Sequence, residues 1–460
     1  MKKSRTGTAS RLFTARTGLA ALALKICSLK ILETIGEQVN IRQKTIKHTP
    51  IEKLTDALIA ILAGAHGLCE INTRVRADQA LQRAFGRTAC AEQSVVQETF
   101  NACTGRNVVE MEQALNAIFR THGRTFKHDY QSSLQLLDID LTGMPCGKRA
   151  ELSMKGYFGE GNIRYGRQMC RVVAPHYEEV VVDRLFAGNL KLTEALQPVV
   201  KAAEETLSLE EAKRRRTVLR IDAGGGSLKD VNYLLERGYH VHCKDYSSKR
   251  AAHWALAVKQ WVDDPRHRGR QLGWVEVTNK SYVRKVRQLA VRWRKPNGQR
   301  YHAMLLSTLE PAEVMTLMGR PLEQLNDAQQ VLVAYMQLYD ERGGAIEIKI
   351  KESKQGLGIT KRNKKSYAGQ QMVMMLGTLA HNLVVWAKRW LADDVPKLKR
   401  YGVKRMVRDV LAVSGFLEMD ESGAIKRVVM NKAAPLARQC AKSLHSILKR
   451  EHVRVILGET

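Results

Sequence analysis

Glu347, Lys351 and Lys354 recur at i, i+4 and i+7 within the stretch Tyr339 to Lys354, YDERGGAIEIKIKESK. A helix there carries one carboxylate and two ammonium groups on a single face. A solvated helix with paired charges has this pattern. So does a helix that holds a divalent ion through its glutamate and meets phosphates through its lysines. Two aspartates upstream favour the second reading. Asp140 lies in LQLLDIDLTGM and Asp222 in TVLRIDAGGGS, each in an apolar, strand-like run that carries an acid towards its end. Three carboxylates from separate elements can hold two magnesium ions about 3.5 to 4 Å apart, enough to activate a water or a 3′-hydroxyl and stabilise a leaving oxygen in phosphoryl transfer. The all-oxygen donor set suits magnesium, with manganese able to substitute. Asp138 competes for the first position from the same strand face, but Asp140 lies nearer the strand end where a site would open. Glu352 competes for the last position but points to another side of the helix from Glu347.

The chain that must position these acids has 460 residues, enough for two to four domains, and is 44% hydrophobic and 26% charged. Its 75 Lys and Arg against 46 Asp and Glu give a formal charge of +29, spread too widely for one basic tail. A large polyanion is implied as partner, nucleic acid first; a ribosomal or membrane-surface protein is the plainer alternative. The eight cysteines form no CxxC pair, so neither a zinc ribbon nor a disulfide framework is legible and a reducing cytoplasm is expected. Lys25 and Lys30 interrupt the apolar patch near the N-terminus, and no apolar run reaches about 18 residues. No membrane span is expected, and the location implied is cytoplasmic and nucleoid-associated.

Residues 1–130 read as a helical, DNA-binding N-terminal region, with 1–48 of uncertain order. Thr49, Pro50 and Glu52 form a capping box before a helix with Leu54, Leu58, Ile59, Ile61 and Leu62 on one face. Helices at about 77–85 and 91–102 flank the break FGRTA, and a further helix starts near Asn107 with Glu110 in capping position. The pair has the length of a helix-turn-helix, with Gln93, Ser94, Gln97 and Glu98 on its second member; two plainly packed helices have the same length. Residues 131–245 read β-β-β-α-β-α-β. That order matches the ribonuclease-H-like fold, in which the first and fourth strands are neighbours and Asp140 and Asp222 would face each other. Residues 246–330 form a β-rich insertion, with a hairpin turned by Pro296-Asn297-Gly298 and with Trp274 and Trp293 set among arginines. Trp293 beside cations could stack on a base, or simply pack as core. Residues 331–395 complete the core with the acid-bearing helix. There TKRNKKS offers Lys361, Arg362, Lys364 and Lys365 to phosphates, or forms a solvated loop, and a strongly apolar helix with His381 follows. Residues 396–460 are a helical C-terminal region around a hairpin-like GFLEMDESGAIKRVVMN. The fold class is therefore α/β, a ribonuclease-H-like core interrupted by a β-rich insertion, with helical N-terminal and C-terminal regions.

Asp140-Leu-Thr, strand-embedded Asp222, a β-rich insertion and then Y-x2-R-x4-E-x6-K (Tyr339, Arg342, Glu347, Lys354) together resemble the DDE transposases of bacterial insertion sequences, in the branch with a Tyr-Arg-Glu-Lys signature. TPIEKLTDALIAILAG, GRTACAEQS, KDYSSKRA and KQGLGITKRNKK extend the likeness over about residues 45 to 455. The resemblance implies a ribonuclease-H-like core, magnesium, binding to terminal inverted repeats and target DNA, and a homodimer that synapses two ends. It also implies that Tyr339, Arg342 and Lys354 contact DNA near the cut. One departure concerns Arg342: four residues separate it from Glu347 where three are commoner, and Gly343 and Gly344 could absorb the extra one before the helix starts.

Two other classes fit parts of the chain. RIDAGGGSLKDVNYLLERGYHVHCKDYS reads as a strand, glycine turn, helix and second strand ending in Asp245, as in S-adenosylmethionine-dependent methyltransferases, where Asp245 would bond a ribose. That reading leaves Glu347 and its lysines unused, and no further parallel β-α units follow. A DNA-binding protein without catalysis would not need all three acids.

Overall fold

The computed structural model describes residues 10–45, 47–158, 163–277, 279–294 and 298–459. The chain is mixed α/β and divides into two compact units built from separated segments. Met1–His122, Cys146–Ser153 and Lys349–Thr460 make the first; Gly123–Pro145 and Met154–Ile348 make the second. Residues 349–395, expected with the core, thus belong with the N-terminal helices.

The second unit is organised on a ten-stranded mixed sheet. Its strands are β1 (Gln135–Pro145), β2 (Met154–Tyr157), β3 (Ile163–Ala174), β4 (Glu179–Ala187), β5 (Thr217–Ile221), β6 (His240–Lys244), β7 (Val262–Asp263), β8 (Arg270–Trp274), β9 (Arg287–Arg294) and β10 (Arg300–Ser307). The spatial order is β2-β3-β1-β5-β6-β10-β9-β8-β7, with β4 also on β3. β1 runs antiparallel to β3 and parallel to β5, and β5 runs parallel to β6, so the first and fourth long strands are neighbours. All five residues of β5 are buried, as expected of a parallel strand covered on both faces. Strand β2, MKGY, has no apolar alternation to mark it in the sequence.

The insertion strands do not form a body of their own. β10 pairs antiparallel with β6, setting Leu306 opposite Cys243 and Ser307 opposite His242, so the insertion lengthens the core sheet. His242, fully buried, bonds Ser307 Oγ at 3.0 Å and the Tyr335 carbonyl at 3.1 Å. Burial, with Arg220 nearby, lowers its pKa to about 3, so it stays neutral. β9 and β10 form the expected hairpin, while Pro296 and Asn297 of its turn lie outside the described residues. Helix α1 (Ala328–Arg342), capped by the Asp327 side chain, contributes Val331, Leu332, Tyr335 and Met336 to one cluster with Leu272, Leu289, Val291 and Leu305.

In the first unit the capping box forms as expected: Thr49 Oγ1 accepts from the Glu52 amide and Glu52 Oε2 from the Thr49 amide. The FGRTA break turns at Gly86 (φ +70°), and Arg87 pairs with Glu52 and with buried Asp56. Glu110 does not cap its own helix; it accepts from the amide of Asn40, while Asn107 caps through Thr104. Gln97, on the helix that might read bases, receives Lys364 Nζ at 2.6 Å. The segment of uncertain order holds a strand, Ser10–Thr14, and a buried helix, Thr17–Ser28. Lys25, which interrupts the apolar patch, pairs with Glu451 at 3.0 Å. The C-terminal hairpin forms between Gly415–Met419 and Ile425–Asn431, flanked by Ser10–Thr14 and Arg454–Gly458 in a four-stranded sheet. All eight cysteines are free thiols. Among the described residues no helix is long and apolar enough to cross a membrane.

Candidate active site

Strand β1 carries both Asp138 and Asp140, and it continues to Pro145, so Asp140 lies within the strand and not near its end. Asp138 is fully buried and bound through both oxygens by Arg220, at 2.6 and 2.8 Å, while Arg220 also donates to the Leu338 carbonyl. That is a closed structural ion pair. Asp140 is mostly buried, and one oxygen accepts only the amide of Leu141 at 2.9 Å. Burial raises its pKa to about 6; Arg342 and the Leu141 amide oppose this, while the negative charges of Asp222 and Glu347 add to it.

Asp222 follows β5 directly, at the start of a single 3-10 turn, Ala223–Gly225, and its side chain is half exposed. Tyr339 donates its hydroxyl to Asp222 Oδ1 at 2.9 Å. Burial pushes the Asp222 carboxyl up, but Arg342, the Ala223 amide, Tyr339 and Lys244 outweigh it and hold the pKa below its ordinary value. The Arg342 guanidinium spans the two aspartates, 3.9 Å from Asp140 and 3.6 Å from Asp222. Tyr339 and Arg342, for which the resemblance implies DNA contact, are only 5% and 4% exposed and face the carboxylates. Arg342 Nε and Nη1 are buried without a hydrogen-bond partner.

The extra residue after Arg342 is absorbed inside the helix, not before it. Residues Gly343–Glu347 form a π-helical turn between α1 and α2 (Ile348–Gly356). Closure to i+5 returns the chain to the same face after five residues, where an α-turn needs four, so Glu347 keeps the side that a three-residue gap would give it. Its carboxylate lies against Gly343, where a Cβ would come 3.4 Å from Oε1. Lys351 is exposed and Lys354 half-buried, and both belong to the first unit. Glu352 also lies in the first unit, 3.6 Å from Lys349 and pressed onto Gly402.

Two residues around the acids were not singled out from sequence. Lys244, the last residue of β6, places its ammonium 4.6 Å from the Tyr339 ring centre and adds positive charge beside Asp222. Its position at the end of the strand next to β5 was the available signal. Asp340, beside Tyr339, binds Arg270 at 2.6 Å and Arg266 at 2.9 Å, tying the β7–β8 turn to the acid-bearing helix. Trp293 stacks on Tyr301 and borders two cavities of about 320 and 310 Å³. One is lined by Lys244, His267, Arg268 and Arg270, the other by Arg292, Arg294 and Arg300. Trp274 packs edge-on against Tyr335 as core.

The basic run 360–366 is only half solvated. Lys361 and Lys365 are exposed, but Arg362 and Lys364 are buried. Arg362 donates to the carbonyls of Leu357 and Ala65. Burial brings its pKa down to about 10 against the opposing charge of Glu70, and burial with the Arg362 charge brings that of Lys364 down to about 8. Each head group is hydrogen-bonded to protein oxygens in place of water. Asp245, needed by the methyltransferase reading, is held through both oxygens by Arg250 at 2.6 and 2.7 Å. The glycine turn has a packing reason: a Cβ on Gly226 would fall 1.8 Å from the Lys244 carbonyl oxygen.

Among the described residues no three His, Cys, Asp or Glu side chains approach closely enough to hold a metal ion together. In donor type the group fits magnesium: Asp140, Asp222 and Glu347 offer only carboxylate oxygens, and the cation already drawn between the aspartates is a guanidinium with two unpartnered nitrogens. Fold and site together define a mixed α/β protein in which Asp140, within β1, and Asp222, just after the neighbouring parallel strand β5, meet at Arg342. No family model and no curated protein matches the chain. Among solved structures it is similar to a piggyBac transposase synaptic complex with hairpin DNA, determined by cryo-electron microscopy, at 12% identity and a TM-score of 0.36, covering 96% of this chain and 84% of that one. At that score the likeness decides nothing about function.

Proposed function

We propose that the chain is a DDE transposase with a ribonuclease-H-like core, which cuts phosphodiester bonds at the ends of a mobile element and joins the 3′-hydroxyl ends to target DNA. The observation that carries this reading is the grouping of Asp140 and Asp222 around Arg342, with the charge of Glu347 felt at Asp140. The strand order β4-β3-β1-β5-β6, antiparallel then parallel, supports the core assignment, and the charge of +29 supports a polyanionic partner.

Asp140, Asp222 and Glu347 would hold two magnesium ions, which supply an activated water or 3′-hydroxyl and stabilise the leaving oxygen. Tyr339 keeps Asp222 oriented and ionised through its hydroxyl. Lys351, Lys354, Lys361 and Lys365 meet phosphates, and Trp293 with its arginines takes the flanking strand. Terminal inverted repeats are the DNA bound, and a homodimer brings two ends together.

The test is magnesium-dependent nicking of DNA bearing the element's ends. Asp140→Ala, Asp222→Ala and Glu347→Ala should each abolish cleavage and leave end binding largely intact; retained cleavage in any one rejects its assignment.

A further inference from the structure

Arg342 is held where a metal ion would be needed, and it is held loosely. Its guanidinium reaches both Asp140 and Asp222, but at 3.9 and 3.6 Å it makes a charge contact and no close hydrogen bond with either. Nε and Nη1 are buried and have no acceptor, an unusual state for a group with five donors. The same neighbourhood contains no three acids close enough to share an ion. Arg342 also sits where the α-helix passes into the π-turn, directly before Gly343 and Gly344, whose backbones adopt other conformations at little steric cost.

We propose that Arg342 is a built-in counter-cation that holds the place of the divalent ions between Asp140 and Asp222 while DNA is absent. A phosphate oxygen pair matches the fork geometry of a guanidinium and would satisfy its orphaned donors. Arrival of DNA therefore draws Arg342 off the aspartates and opens them to metal, so that the site loads only when a substrate strand is present. This rests on the metal-ion reading above.

The experiment is titration of the DNA-free full chain with Mn2+ alone, followed by electron paramagnetic resonance. Wild type is expected to bind weakly, and Arg342→Gln about tenfold tighter or better, because a unit positive charge in contact with the site is removed. The gain should vanish in Arg342→Gln/Asp222→Asn. Arg342→Met, which keeps the apolar stem, gives the same comparison should the glutamine variant not fold. Wild-type affinity at the acids equal to or above that of the neutral variants would overturn the inference and leave the metal reading standing. Absence of acid-dependent Mn2+ binding in every variant would overturn both.

Discussion

The hydroxyl of Tyr339 donates to Oδ1 of Asp222 at 2.9 Å, across 117 residues of sequence. The acid-bearing helix is thereby fastened to the end of β5 by a bond that acts on the acid itself. Tyr339→Phe keeps the ring under Lys244 and removes only that bond. It should lower stability by about 1 kcal/mol, since Asp222 is half exposed. Asp222 then loses one of the groups holding its pKa down, so its pKa should rise. A depressed carboxylate contributes stability above its unfolded pKa that is lost as pH falls through the folded one, so the variant's loss relative to wild type should shrink in acid. Urea unfolding at several pH values checks both statements.

Asp138 and Asp140 should separate cleanly. Asp138→Asn leaves buried Arg220 without its charge partner and is expected to cost about 3 to 5 kcal/mol. Asp140 behaves oppositely, because its folded pKa of about 6 lies above the unfolded value near 4. Between those values the native chain retains a proton that the unfolded chain has released, so stability falls as pH rises through that window. Asp140→Asn removes this slope and should be more stable than wild type at pH 7 by roughly 2 kcal/mol, while Arg342 keeps Asp222 as partner. Unfolding curves from pH 4 to 7 on both variants would decide it.

The π-turn makes a prediction about length. Deleting Gly344 should convert Gly343–Glu347 to regular α-helix, keep Glu347 on the side of Arg342, and preserve cleavage with a gain of about 1 kcal/mol from the lost helical glycine. Inserting one alanine there should rotate Glu347 away and abolish cleavage. Cleavage lost on deletion and kept on insertion would show that the turn does not set the position of Glu347.

In the basic run, exposure should sort the effects. Lys361→Ala and Lys365→Ala should each weaken DNA binding and lower its salt dependence by about one ion, as should Lys351→Ala. Arg362→Ala should leave the salt slope unchanged and destabilise by about 2 to 4 kcal/mol, because the carbonyls of Ala65 and Leu357 lose a buried donor. Salt-titrated binding and thermal unfolding of the same proteins separate the two.

The parts of this fold legible in the sequence were the local ones. Runs such as TVLRID and the capping box at Thr49 to Glu52 declare themselves within a few residues. What escaped depends on distant partners. Lys25 looked like a break in an apolar segment until Glu451 answered its charge, and Arg362 looked solvated until the carbonyl of Ala65 took its donors. The joining of β10 to β6 is likewise a pairing that no local pattern encodes. Arg342 and Tyr339 were found by their spacing, but their burial against the aspartates was not, since no local pattern tells which group a helix face will turn towards.

The central claim is that Asp140, Asp222 and Glu347 act together as metal ligands. The most direct measurement replaces each in turn by cysteine and follows strand cleavage of end-bearing DNA in Mg2+ and in Mn2+, since a thiolate is a poor ligand for the harder ion and a better one for the softer. Each variant is expected to be inert in Mg2+ and to recover measurable cleavage in Mn2+. Cleavage at the wild-type rate in Mg2+ by any of the three would contradict the claim.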